Sequence, residues 1–345
     1  MGVTMAVSDD VVLPLVPGGV LAFDAGNSKT DVALVSADGT VLGTARGGGF
    51  EPHLVGAFAA VEGLAPLVAA AALEAGLVVG EVPLVQQISA CLANADLPIE
   101  EQRLAEAFES FGWATSVYVT NDTFALLRAG VDQPRGVAVV CGAGINCAGL
   151  LPDGRTARFT AVGMISGDWG GGLQLADEAF WAAARADDGR GPETALSTAL
   201  PAHYGVDSVA SLIEAFHLGD IPSARRLEAA PLLFQVAAAG DAVAAAVVLR
   251  QAQEIVTMAV VAMRRLDLLD EPTDVVLGGG VLTAGHPLLM ETVVRLLTEA
   301  APKAIPRLID VPHVVGAALL GLDHTGAAPT AHHTLRSTFT PSPGA

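Results

Sequence analysis

At 345 residues the chain exceeds what one hydrophobic core usually supports, so two domains are expected. Its 52% hydrophobic and 16% charged residues supply large cores. A net charge of −19, from 18 basic against 37 acidic residues, argues against nucleic acids and anionic membranes as partners. The three cysteines, Cys91, Cys141 and Cys147, form no Cys-x-x-Cys pair and no disulfide framework, which points to a reduced, cytoplasmic setting. No run of about 18 uncharged apolar residues occurs, so no membrane span is expected.

Residues 1–18 read as a flexible leader without the basic start of a secretory signal. An apolar strand over 20–23 then runs into Asp24, a turn of small residues (Gly26, Asn27, Ser28, Lys29, Thr30) and a second strand over 32–35. Asp38-Gly39 is a two-residue hairpin signal into a third strand. Gly26 allows close approach of a ligand, the N–H groups of residues 27–30 suit an anion, and Asp24 suits a hydrated cation beside it. The same residues also make an ordinary hairpin.

After the loop Gly47–His53, residues 54–75 read as one Ala-rich helix and 82–89 as a strand. A polar loop over 94–98, a helix over 100–111, a strand over 116–120 and a helix over 122–129 follow. A second cycle then repeats the order of 20–42: strand 136–141, glycine turn Gly142-Ala-Gly-Ile-Asn146, strand 147–151 and turn Pro152-Asp153-Gly154. Next come a five-glycine loop over 163–172 and helices over 173–185, 206–216, 223–239 and 242–269. A strand over 274–277 leads into Gly278, Gly279 and Gly280, followed by helices over 287–301 and 314–322. Residues 326–345 read as a disordered tail rich in Ala, Pro, Thr, Ser and His. Alternating strands and helices give an α/β fold with mixed sheets. The glycine turns and Asp122 fall at strand ends, where open α/β sheets bind ligands. Neither a P-loop nor a Gly-x-Gly-x-x-Gly fingerprint is present.

Taken in order, these motifs resemble the N-acetylglucosamine kinase and BadF-type ATPase family, within the actin, sugar-kinase and heat-shock chaperone superfamily. The resemblance runs over about residues 20–324. It rests on a first phosphate motif (23–31), a second (141–147), an adenosine motif (275–281), the loop Gly167-Asp-Trp-Gly-Gly-Gly172 and the closing helix at 312–317. It implies two actin-like, ribonuclease H-like domains, 19–125 and 126–312, flanking a nucleotide cleft, with helix 313–324 packed back on the first. It implies ATP on Gly26, Asn27, Ser28, Lys29, Thr30, Gly142, Ala143, Gly144, Asn146 and Gly278 to Gly280, and Mg2+ at Asp24. An amino sugar, glucosamine or N-acetylglucosamine, would contact Glu51, Asn94, Asp96, Asn121, Asp122 and Asp168. A homodimer is left open.

Asp122 is the implied base, taking the proton of the sugar 6-hydroxyl as it attacks the γ-phosphate; its bland alternative is a helix N-cap. Lys29 is equally a solvated turn lysine, and Asp168 equally a turn former. Glu51 stands where relatives place amide side chains, and its carboxylate suits a free amino group. Trp169 replaces an acidic residue of the family loop. Two other activities share this fold: an activator ATPase of 2-hydroxyacyl-CoA dehydratases, which bridges subunits through cysteine-held iron–sulfur, and a non-catalytic sugar sensor. With Cys141 and Cys147 in the phosphate turn, only Cys91 remains for a cluster. The zinc-containing glucokinase type is disfavoured because its cysteine cluster is missing.

Overall fold

The computed structural model describes residues 14–309 and 311–339. They form two compact units, one of residues 14–129 and 311–339, the other of residues 130–309. The chain passes between them a few residues away from the expected 125/126 and 312/313, because the helix starting at Asp122 stays with the first unit through Ala129.

The first unit is a five-stranded mixed sheet in the order β3-β2-β1-β4-β5. Its strands are β1 (Val16–Ala25), β2 (Thr30–Val35) and β3 (Val41–Gly47), joined as antiparallel hairpins. Helices α1 (Pro52–Val55), α2 (Ala57–Glu62) and α3 (Ala65–Glu74) lead to β4 (Val85–Leu92), which lies parallel to β1. Then α4 (Pro98–Ser110), β5 (Ala114–Asn121), parallel to β4, and α5 (Asp122–Gly130) complete the first pass. Strand β1 is apolar on both faces, and Val20 to Phe23 are wholly buried, as a central strand covered on both sides requires. Phe23, Phe108 and Trp113 pack together on one face, with Phe23 and Phe108 centroids 5.1 Å apart.

The second unit repeats the plan. Strands β6 (Gly136–Cys141), β7 (Ile145–Leu150) and β8 (Thr156–Arg158) form antiparallel hairpins. Helices α6 (Gly171–Asp187), α7 (Leu196–Tyr204), α8 (Val209–Leu218), α9 (Ala229–Ala238) and α10 (Ala242–Arg265) follow. The pass closes with β9 (Thr273–Gly278), parallel to β6, α11 (Gly280–Thr283), α12 (Pro287–Ala300) and β10 (Ala304–Leu308). The sheet order β8-β7-β6-β9-β10 matches that of the first unit strand for strand. Helix α10 buries Val248, Ala252, Ile255, Ala259 and Met263 along one face, the 3.6-residue period of a core helix. By length and composition alone, 57–74 and α10 are apolar enough to cross a membrane; the first is two helices meeting at Gly63 and Leu64.

The chain returns to the first unit with α13 (His313–His324) and α14 (Pro329–Phe339). Helix α13 packs on β1 and β4, and its small residues let it come close. A Cβ at Gly316 would lie 1.8 Å from the Ala125 carbonyl of α5, so only glycine fits that crossing.

Three expectations need correction. The leader is shorter than 1–18: Val16 to Gly18 belong to β1, and the Val16 N–H donates to the Leu84 carbonyl at 2.8 Å. Residues 1–13 lie outside the described ones. The tail is not uniformly disordered, since 329–339 form α14, which buries Ala331 and Leu335 one turn apart; 340–345 lie outside the described residues. The single helix expected over 54–75 is three, because Gly56 adopts φ +88 and Gly63 ends α2.

Candidate active site

Every site residue expected in the first unit lies at the edge where β1, β3, β4 and β5 end. Asp24, near the end of β1, stands opposite Asp31 on β2 and Cys91 on β4. It is 7% exposed, and burial, helped by Asp31 and opposed by Lys29 and Arg46, pushes its pKa up to about 7. Asp31 is gripped by the Arg46 guanidinium at 2.5 and 3.0 Å, with Lys29 Nζ at 3.5 Å. Lys29 therefore serves an ion pair at the turn. The Thr30 hydroxyl, expected near a phosphate, is fully buried without a hydrogen-bond partner.

Asp122 is the first residue of α5. The preceding residue does the capping: Asn121 Oδ1 accepts the Thr123 N–H at 2.9 Å, the usual N-cap bond. Burial of its carboxyl and the nearby Asp24 raise the Asp122 pKa to about 6, against the opposing pull of His313 and the Thr123 N–H. His313, at the start of α13, lies 4.0 Å from Asp24 through Nδ1. Cys91 is buried between the two carboxylates, and its thiol is pushed well above the ordinary range by burial first and then by both.

A polar chain continues along this edge. Asn94 Nδ2 donates to Asn27 Oδ1 at 2.7 Å and to the Phe50 carbonyl at 2.9 Å, tying the first glycine turn to the loop that carries Glu51. Asn121 Nδ2 donates to Asp96 Oδ1 at 2.8 Å, and Asp96 itself starts the Glu100-capped turn into α4. Glu51 is exposed at the rim of a cavity of about 320 Å³ lined by Gly48, Gly49, Leu54, Ala60 and Leu67. Ser28 is exposed in the turn.

In the second unit, the Gly142–Gly144 turn joins β6 to β7. Its carbonyls accept from α6, Gly172 N–H to Gly142 at 2.8 Å and Leu173 N–H to Ala143 at 3.0 Å. Gln251 Oε1 accepts the Gly171 N–H at 2.9 Å and fixes the start of that helix. Gly279, at φ +88, lies so near β6 that a Cβ there would sit 2.5 Å from the Cys141 carbonyl. Gly142 and Gly144 are different. Neither has a positive φ, and a Cβ at either would meet nothing within 4 Å. The fold does not demand glycine at these two positions, so the open space they leave suits a ligand.

Beside that turn, a cavity of about 410 Å³ is lined by Gly142, Ala143, Pro231, Phe234, Gly280 and His286, among others. The Phe234 and His286 rings stack at 4.1 Å, 5° from parallel, and burial lowers the His286 pKa. A flat, largely apolar slot beside a backbone turn has the form of a nucleobase pocket next to a phosphate cradle. Gly278 is buried as the last residue of β9, and the Asn146 side chain turns back to its neighbour, accepting from Cys147 N–H at 2.7 Å. Asp168 sits in the loop before α6, bonded by the Ser166 hydroxyl, while Trp169 is buried under Arg250 at 3.9 Å.

The chain belongs to the BadF/BadG/BcrA/BcrD ATPase family, which its residues 21–321 match. Its actin-like α/β fold is shared with a crystal structure from Chromobacterium violaceum, described there as a candidate N-acetylglucosamine kinase. The two share 25% identity and a TM-score of 0.68, over 88% of this chain and 98% of that one. Among curated proteins, it is 33% identical over 104 residues to the N-acetylmuramic acid/N-acetylglucosamine kinase of Clostridium acetobutylicum. That match covers 30% of this chain and 34% of the relative, so it spans about a third of the relative's length. The N-acetyl-D-glucosamine kinase of Dictyostelium discoideum is 24% identical over 242 residues, 68% of this chain and 75% of its own.

Sequence reasoning did not single out Asp31, His313, Phe234 or His286. Asp31 and His313 stood inside quoted motifs, but nothing local marked them as neighbours of Asp24. Phe234 and His286 come from segments some fifty residues apart and meet only in the folded unit.

Proposed function

We propose that the protein is an ATP-dependent kinase that transfers the γ-phosphoryl group to the 6-hydroxyl of an amino sugar, glucosamine or N-acetylglucosamine. The observation that carries this reading is Asp122: α5 is capped by Asn121, which leaves a partly buried carboxylate with a raised pKa at the sheet edge, next to a second carboxylate. Phosphoryl transfer needs chiefly charge and positioning, with a carboxylate to orient the attacking hydroxyl and take its proton. In this reading ATP uses the slot beside Phe234 and His286, the Gly142–Gly144 turn and the Gly26–Thr30 turn, and the sugar lies against Asn94, Asp96, Asn121 and Asp122, with Asp168 a further contact.

Among the described residues no three His, Cys, Asp or Glu side chains converge as a metal cage. Mg2+ needs none, because it takes one or two carboxylates and completes its shell with phosphates and water. Asp24 fits: it is buried, costly to ionise alone, and beside an unpartnered Thr30 hydroxyl. Mg2+ at Asp24 would neutralise phosphate charge. The chain's own contribution is to hold the sugar hydroxyl at Asp122.

The relatives' names favour an acetylated sugar, whereas Glu51 favours a free amine. Coupled ADP release over a panel of hexoses decides between them. Glucosamine or N-acetylglucosamine should exceed glucose in kcat/KM by at least about tenfold, within the range one placed polar contact gives. If glucosamine is preferred, Glu51→Gln should raise its KM and leave that of N-acetylglucosamine unchanged. A panel in which no amino sugar outpaces glucose would contradict the substrate class. The activator-ATPase reading has no support in the thiols: Cys91, Cys141 and Cys147 are all buried, and a bridging cluster needs an exposed one.

A further inference from the structure

Helix α14 lies outside the residues 21–321 that match the family, yet it hydrogen-bonds directly to the end of α5. Arg336 Nη1 donates to the Ala129 carbonyl at 2.6 Å and Nη2 to the Arg128 carbonyl at 2.9 Å. Those carbonyls belong to the last turn of α5, where a helix has no internal donors to offer. A cation there also complements the negative end of the helix dipole. One turn earlier on α14, His332 Nε2 lies 3.2 Å from Asp323 Oδ1. Asp323 in turn holds Arg128, the largest fully buried side chain among the described residues, at 2.7 and 3.2 Å. The other side of α14 rests on the β2–β3 hairpin, where a Cβ at Gly39 would lie 1.9 Å from the Ala331 carbonyl.

Helix α5 has Asp122 at its first residue and the Arg336 contacts at its last turn, roughly 10 Å away along a rigid rod. A short helix moves as a body, so whatever fixes its far end fixes its near end. Along its side α5 crosses α13 closely at Gly316, and its last turn is also tied to α13 by the Arg128–Asp323 pair, which His332 of α14 backs from the far side of Asp323. We infer that α14 sets the axial position of α5 and thereby of Asp122, with Arg336 as the positioning residue. The inference rests on the reading of Asp122 as the base.

The test uses the full chain with Arg336→Met and Arg336→Lys, each in the parent and in the Asp122→Asn background. Arg336 is only half-buried, so both variants should fold. Arg336→Met is expected to lower kcat about tenfold while KM for ATP and sugar stays within about twofold, since a displaced base costs rate rather than ground-state binding. Arg336→Lys keeps the charge but not the two-pronged fork, and should recover part of the loss. On Asp122→Asn, Arg336→Met should cause no further loss, because no base is left to misplace. A lowered melting temperature with unchanged kcat would overturn the inference, as would a full second loss in the Asp122→Asn background. Near-normal turnover by Asp122→Asn alone is a separate result, which would overturn the base assignment beneath it.

Discussion

Asp122→Asn should lower kcat by a factor on the order of 10²–10⁴, the range that loss of a general base usually costs. Shape and cap both survive the change. Asn121 already caps α5, and asparagine at the first helical position keeps the side-chain volume. Nucleotide and sugar affinities should therefore stay close to those of the parent. The same carboxylate governs the pH profile of the parent enzyme. Its pKa is raised, so the base is ionised and active above about 6 and becomes protonated as pH falls through that value. Activity should thus be lost between about pH 7 and 5, with an apparent pKa that belongs to the Asp24–Asp122 pair. An ordinary surface aspartate would hold its activity to about pH 4. Steady-state kinetics of the parent and variant across that range check both statements. Near-normal turnover in the variant would remove Asp122 from the chemistry.

Gly144→Val should abolish useful ATP binding while leaving the fold intact. A Cβ at this position meets no protein atom within 4 Å, and its backbone is not in the left-handed region. The melting temperature should accordingly be unchanged. If phosphate occupies that space, two added methyl groups exclude it, and ATP affinity should fall on the order of 100-fold, about 2.7 kcal/mol. Gly171→Ala is the contrasting control. Its Cβ would sit 2.4 Å from the Gly144 carbonyl carbon at φ +83, so it should lower stability as well as affinity. Calorimetric titration of ATP, paired with thermal melts, separates the two cases. Unchanged affinity in Gly144→Val would remove the second phosphate turn from the nucleotide site.

Much of this architecture was legible where local chemistry decides structure. The Asp38-Gly39 and Asp153-Gly154 turns and the apolar strands beside them give both hairpin pairs, and 136–141 falls on β6 residue for residue. Elements whose stability comes from distant contacts were not legible. Strand β10 carries Pro306 and lies at a sheet edge, so neither periodicity nor propensity marks it. Helix α7 contains Pro201, which reads as a breaker, yet Leu196, Leu200 and Tyr204 bury one face in the core. Helix α14 is too short and polar to persist alone and is held by Leu335, Ala331 and Arg336. Helix α8 starts three residues later than the apolar pattern places it, because Ser208, whose side chain accepts the Ser211 N–H at 3.1 Å, caps it at Val209.

At the site, glycine turns and strand-end aspartates were visible because their residue types are unusual in those places. Their surroundings were not. The ion pairs that engage Lys29 with Asp31, and the approach of His313 to Asp24, depend on which strands and helices become neighbours. The cap at Asn121 shows the same limit. Sequence offered Asp122 as the cap or as the base, and only the helix start at Asp122 itself moves the cap one residue back.

The most direct test of the account is the fate of the γ-phosphate. The protein is incubated with Mg2+-ATP, with and without glucosamine or N-acetylglucosamine, and ADP, free phosphate and sugar phosphate are followed by phosphorus NMR. The account predicts ADP and sugar phosphate in equal amounts, formed only when sugar is present, with the new phosphorus signal coupled to the C6 methylene protons. ADP and free phosphate formed at the same rate with or without sugar would contradict it.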